Sequence, residues 1–148
     1  MIELRPITIL LVEDDQADQK LIKTSLKSQL VANDLYIVNT GEEGMDFLHQ
    51  RGDYSSVVPR PDLILLDLNM PGMGGKEFLK RIKDDKNLKQ IPVVIVTTSD
   101  LEKDIIDSYD LQASGYVRKP VTLDGFKEVM KKIGEYWFVL CKRPPKEC

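Results

Sequence analysis

Three acidic side chains in this sequence are placed where they could share a cation. Glu13 and Asp14 follow directly on the apolar run Ile7 to Val12, and Asp67 ends a second run, Asp62 to Leu66. A carboxylate is already ionised at neutral pH, so it can serve as nucleophile or metal ligand without a neighbouring base. Several close together repel and raise one another's pKa values unless a cation joins them. Hard oxygen donors in a small cleft suit Mg²⁺, which keeps part of its water shell and often contacts phosphate. Two further residues fall at equivalent places. Thr97 closes the run Ile91 to Val96, and Lys119 follows the run Gly115 to Val117. A hydroxyl and an ammonium are what a phosphoryl group on a carboxylate needs around it. Taken singly, each has an ordinary explanation as a cap, a turn former, a strand residue or a surface lysine. The conjunction carries the weight.

For these residues to meet, the chain must bring the ends of several strands to one rim. Ile7 to Val12 is a continuous apolar run, as expected of a strand buried on both faces. Asp15 can cap a helix whose Ala17, Leu21, Ile22, Leu26 and Leu30 recur at helical spacing. Leu35 to Val38 reads as a second strand. A short helix over about 42–50 follows, with Met45 and Leu48 inward, and then a long loop, GDYSSVVPRP, from Gly52 to Pro61. Asp62 to Leu66 is the third strand. Pro71, Gly72, Gly74 and Gly75 open a loop before a helix marked by Phe78, Leu79 and Ile82. Ile91 to Val96 is the fourth strand, and a helix over about 101–110 carries Ile105, Ile106 and Tyr109. Gly115 to Val117 is the fifth strand, and a last helix starts near Thr122.

Five strands alternating with five helices predict an α/β fold, with right-handed crossovers and a parallel sheet covered on both sides. In doubly wound sheets, ligands sit beyond the carboxyl ends of the strands where strand order reverses. If the first and third strands are neighbours there, Glu13, Asp14 and Asp67 converge.

Composition excludes several other classes. The 148 residues are 42% hydrophobic with a net charge of −3, so a packed domain is expected and a broad DNA-binding face is not. Lys142, Arg143 and Lys146 form the one local basic cluster, interrupted by two prolines. The apolar start is too short for a membrane span or a signal peptide, which points to the cytoplasm. Cys141 and Cys148 lack metal-ligand spacing, and His49 is alone, which leaves a zinc site or a Ser-His-Asp triad little to build on. The GMGGK stretch at Gly72 to Lys76 lacks the spacing of a phosphate-binding P-loop, and Glu77 stands where Ser or Thr should follow the lysine.

The segments LLVEDD, DLILLDLNMPGMGG, PVVIVTTSD and GYVRKP resemble, in order and spacing, the motifs of response-regulator receiver domains. The resemblance covers about residues 7–133 and is highly specific. It implies a flavodoxin-like doubly wound fold, a five-stranded parallel sheet of order 2-1-3-4-5 with five helices, here with an extended C-terminal helix. The chain would be one receiver domain over 1–148, with 134–148 as helix extension and tail. By similarity, Asp67 takes a phosphoryl group from a phosphohistidine of a sensor histidine kinase. Asp14 and Asp67 bind Mg²⁺ directly, the backbone carbonyl of Asn69 is a third ligand, and Glu13 reaches the metal through water. Lys119 pairs with the phosphoryl oxygens. Thr97 moves to hydrogen-bond one of them, and Tyr116 turns inward into the vacated space. Such a domain is a phosphoacceptor that catalyses its own phosphotransfer and slow self-dephosphorylation rather than an enzyme with turnover on other substrates. Thr98 stands where the family favours small residues. Asn69 and Ser99 occupy positions that tune hydrolysis, and the Lys119–Pro120 bond is usually cis.

Few residues follow the last helix, so output is expected through protein contacts or a phosphorelay rather than through a DNA-binding module. Leu123, Phe126, Met130, Ile133, Trp137 and Leu140 recur at three- and four-residue steps, which predicts a helix of roughly 28 Å reaching about Leu140. Its end, Tyr136 to Leu140, would either form an apolar patch for a partner or fold back on the domain's own core, and Gly134 argues against a straight rod. The long loop and the aromatic tail resemble the small regulators that serve cyanobacterial phytochromes, which dimerise through the last two helices and last strand. Three rivals are weaker. A degenerate receiver would have lost one of Glu13, Asp14, Asp67, Thr97 and Lys119. A flavin-binding flavodoxin would want a Gly/Ser/Thr-rich loop where EDDQAD stands, and a haloacid-dehalogenase-like phosphatase would want Asp in place of Asn69.

Overall fold

A computed structural model of the chain describes residues 6–29, 32–56 and 58–140, without the side chains of 138–140. Its strands are β1 (Ile7–Val12), β2 (Asn33–Val38), β3 (Leu63–Leu66), β4 (Val93–Thr97) and β5 (Gly115–Arg118). The helices are α1 (Gln16–Lys27), α2 (Gly41–His49), α3 (Gly74–Asp84), α4 (Glu102–Asp110) and α5 (Leu123–Gly134). All strand pairs are parallel and the order is β2-β1-β3-β4-β5, so the expected α/β topology and the neighbourhood of β1 and β3 are present.

Side-chain alternation along the central strands builds two apolar layers. Ile7, Ile9 and Leu11 point to the face covered by α1 and α5, where they meet Ile22, Leu26, Phe126, Met130 and Ile133. Leu10 and Val12 point to the other face and meet Phe47, Phe78, Leu79 and Ile82. Both faces being covered explains why β1, β3 and β4 read as unbroken hydrophobic runs.

Local chemistry sets the helix starts. Asp15, Thr40 and Thr122 each accept a hydrogen bond from a first-turn amide, those of Asp18, Glu43 and Gly125, at 3.0 Å. Two expected boundaries shift for visible reasons. Asp62 lies outside β3 because its carboxylate accepts from the Thr8 amide at 2.9 Å. Thr97 falls inside β4, paired with Arg118. Ala17 is exposed, Leu48 is only half-buried while Phe47 takes the core position, and Leu30 lies outside the described residues. In α4 the expected inward face is largely open, because Ile106 and Tyr109 are each 51% exposed.

The C-terminal helix corrects the expectation of one rod. Regular α-helix ends at Gly134, and Glu135–Leu140 continue as a wider π-helical turn. Glycine is a poor helix former, so the change of pitch falls at the weakest point. The wider turn lets Trp137 pack against the α1–α5 layer, so at this residue the segment folds back on its own core, while Tyr136 stays exposed. The side chains of Phe138, Val139 and Leu140, with the basic cluster and both cysteines, lie outside the described ones. The Lys119–Pro120 bond is trans, as are the other described peptide bonds, against the cis form that the resemblance implied. The two isomers of an Xaa–Pro bond differ by only about 0.5–1 kcal/mol, so either is accessible to a fold.

Candidate functional site

Strand register brings the acidic residues together. Val12 pairs with Leu66, so the next residue on each strand, Glu13 and Asp67, leaves the sheet at the same rim. The Asp67 amide still donates to the Val12 carbonyl at 3.0 Å, and the Lys119 amide to the Thr97 carbonyl at 2.7 Å, which fixes these residues to the sheet they leave. Behind Asp67 the chain turns into α3 with almost no clearance. A Cβ on Gly75 would lie 2.6 Å from the Leu68 Cα and closer still to the Asp67 carbonyl, so a side chain there would displace the acidic residue. Gly72 sits at φ +77°, where a Cβ would lie 2.7 Å from the Glu42 carboxylate, and Glu42 accepts from the Met73 amide at 3.1 Å.

Glu13 and Asp67 are buried and Asp14 is exposed, and the three offer ligand oxygens within 4.8 Å of one another. Lys119, also buried, projects its ammonium among them. Its Nζ lies 2.5 Å from Glu13 Oε1, 3.4 Å from Asp67 Oδ2 and 2.7 Å from Asp18 Oδ2. Burial pushes the Glu13 carboxyl up to about 8; the Asp67 charge adds to this, and the Lys119 ammonium only partly offsets it. Burial alone would lower the Lys119 pKa, but the neighbouring carboxylates of Asp18 and Glu13 outweigh it and hold the amine above the ordinary lysine range. Glu13 Oε1 has that close ammonium but no well-angled hydrogen-bond donor. A buried carboxylate oxygen with spare acceptor capacity, in an all-oxygen cluster, fits a hard divalent cation. The cleft in front has a volume of about 580 Å³ and is lined by Asp14, Asp18, Asp67, Asn69, Thr98 and Lys119 among others.

The remaining expected residues stand around this centre. The Asn69 amide donates to Asp67 Oδ1 at 3.3 Å, and the Asn69 side chain to Thr97 Oγ1 at 3.4 Å. Thr97 is buried, and its hydroxyl also accepts from the Ser99 amide at 3.5 Å. Tyr116 is half-buried against the α2–α3 layer, and its hydroxyl donates to the Ser99 carbonyl at 2.8 Å. Thr98 is exposed on the cleft wall.

Sequence reasoning missed three features here. Asp18 faces Lys119 from the first turn of α1. Gln19 donates to the Glu13 carbonyl at 2.6 Å and to Asn39 Oδ1 at 2.7 Å, tying the ends of β1 and β2. Lys76, dismissed with the P-loop, is ion-paired to Asp104 at 2.5 Å and Asp107 at 3.0 Å, and the Ser99 hydroxyl donates to the same Asp104 at 2.5 Å. Contacts this far apart in the chain leave no local pattern to read.

Known proteins share this fold. Residues 9–131 match the family model for the response regulator receiver domain. The response regulator Rcp1 of Synechocystis sp. is 43% identical over 132 residues, which cover 89% of either chain. The crystal structure of the phosphorylated cyanobacterial phytochrome response regulator RcpA is similar with a TM-score of 0.90 at 42% identity, over 95% of this chain and 100% of that one. The Mn²⁺-bound form of Rcp1 gives 0.87 at 41% identity, with the same coverage. With an acidic cluster and a lysine at the rim of a 2-1-3-4-5 sheet, and with these relatives, the chain belongs to the receiver-domain family of two-component response regulators.

Proposed function

We propose that this protein receives a phosphoryl group on Asp67 from the phosphohistidine of a sensor kinase and passes the signal on through a changed surface. The observation that carries the reading is the convergence of Glu13, Asp14, Asp67 and Lys119 in one cleft. An Asp67 carboxylate oxygen attacks phosphorus, the P–N bond breaks, and its electron pair leaves with the imidazole, which takes up a proton. Reversal of the state is hydrolysis of the resulting acyl phosphate. Asp14 and Asp67, with the Asn69 carbonyl, would hold Mg²⁺, and Glu13 would reach it through water. When bound, the cation supplies positive charge against the phosphoryl oxygens. Lys119, already beside Asp67, pairs with one of those oxygens.

Thr97 and Tyr116 are the switch in this reading. The Thr97 hydroxyl exchanges its contacts with Asn69 and Ser99 for a phosphoryl oxygen, which moves the β4–α4 loop to which Tyr116 is bonded. The surface that changes is α4, β5 and α5. It carries Leu101, 65% exposed, with Ile106, Tyr109 and, at 97% exposure, Val121, which suits a second copy of this chain or a downstream protein. The relatives described as phytochrome response regulators support a phytochrome-type kinase as donor. No described helix is long and apolar enough to cross a membrane.

The test is intact-mass spectrometry after incubation with acetyl phosphate and Mg²⁺. One acid-labile phosphoryl adduct is expected on the native chain and none on Asp67→Ala. Equal labelling of the variant would reject Asp67 as acceptor.

A further inference from the structure

Asp18 has no part in the reading above, yet it makes a shorter contact with Lys119 than the acceptor does, 2.7 Å against 3.4 Å. The two residues are 101 positions apart, so the contact is not a by-product of local helix geometry. Asp18 sits in the first turn of α1, and its amide donates to the capping Asp15 at 3.0 Å. An acidic residue there favours the helix start, which would explain its type but not its partner. Its carboxylate also lines the cleft through which a phosphodonor reaches Asp67. It therefore acts on the reaction twice, by occupying a proton of the ammonium that a phosphoryl oxygen needs and by adding negative charge beside the entry path of an anion.

We propose that Asp18 is a positioning residue that tethers Lys119 to α1 and thereby slows phosphoryl uptake by Asp67. The inference rests on Asp67 being the acceptor. Lys119 keeps Glu13 and Asp67 as partners when Asp18 loses its charge, so the ammonium stays in the site and becomes freer to meet the incoming group.

Two measurements on the full chain test this. With acetyl phosphate and Mg²⁺, Asp18→Asn should take up phosphoryl roughly threefold to tenfold faster than the native chain, the effect of removing one nearby negative charge. Asp18→Glu keeps the charge and should stay close to the native rate. Nitrogen-15 spectra of the lysine ammonium groups need no phosphodonor and read the tether itself. The Lys119 resonance, assigned by its loss in Lys119→Arg, should shift in Asp18→Asn. An unshifted resonance overturns the tether, and a shifted resonance with an unchanged rate makes Asp18 a purely structural partner and overturns the proposal too. If the native chain accepts no phosphoryl at all, the acceptor reading fails instead, while the spectra still decide whether Asp18 holds Lys119.

Discussion

On the α1–α5 side of the sheet, Ile22, Leu26, Phe126 and Met130 are fully buried against β1, β3 and β4, whereas α4 on the other side buries only Ser108. What holds α4 is polar. Lys76 reaches from α3 to Asp104 and Asp107, Ser99 donates to Asp104, and Tyr116 donates to Ser99. The rim is held in the same way, by one ammonium among carboxylates. Apolar packing loses its contacts outright when it shifts, but the partly exposed ion pairs and hydrogen bonds around α4 can be exchanged for water or another partner at little net loss. The α1–α5 layer is therefore built as an anchor, and α4 can be repositioned by a change of charge at the rim.

The largest expected effect separates the α1–α5 layer from α4 directly. Phe126→Ala should cost about 3–5 kcal/mol of stability by opening a cavity in the anchored layer. Tyr109→Ala on α4 should stay within about 0.5 kcal/mol, while altering self-association or partner binding. Urea titrations give both values. Similar losses at the two positions would break the comparison.

Next come the rim charges. Mg²⁺ at about ten times its dissociation constant should add about 1.4 kcal/mol, read as a raised thermal midpoint that Asp14→Ala abolishes. Without a divalent ion, Asp67→Asn should stabilise the fold by about 1 kcal/mol, because it removes the like charge facing buried Glu13 while Lys119 keeps Glu13 and Asp18 as partners. A loss of stability in that variant would mean that Lys119 depends on Asp67 more than Glu13 is strained by it.

These two kinds of adhesion differ in how well the sequence displays them. Buried runs such as Ile7–Val12 and the helical spacing of Phe126, Met130 and Ile133 show their period directly, so the alternation of strands and helices and the apolar layers were legible, while the strand order came from the family resemblance. The acidic rim was legible too, because carboxylates that end apolar strands are few. Polar contacts across α3, α4 and the β4–α4 loop leave no such trace. Ile106 and Tyr109 have helical spacing and an apolar or aromatic character, yet they face water, since periodicity identifies a face without saying what covers it. The π-helical turn after Gly134 was half visible, in the glycine but not in the fold-back of Trp137.

The smallest expected effect concerns the tether of α4. Lys76→Met removes the ammonium shared by Asp104 and Asp107, and because Lys76 is partly exposed the global loss should be only about 0.2–1 kcal/mol. The Lys76 hydrogen bond holds the Asp104 carboxyl below its ordinary value, with Ser99 assisting. A depressed carboxylate contributes stability that is present above its unfolded value and lost as pH falls through the folded one. The difference between native chain and variant should therefore persist at neutral pH and close only below about pH 4. Hydrogen exchange is the more telling readout, with α4 amides exchanging faster in Lys76→Met while those of α1 and α5 stay unchanged. Equal acceleration on both sides would show that α4 is anchored through the common core after all, and that this helix is no more movable than the α1–α5 layer.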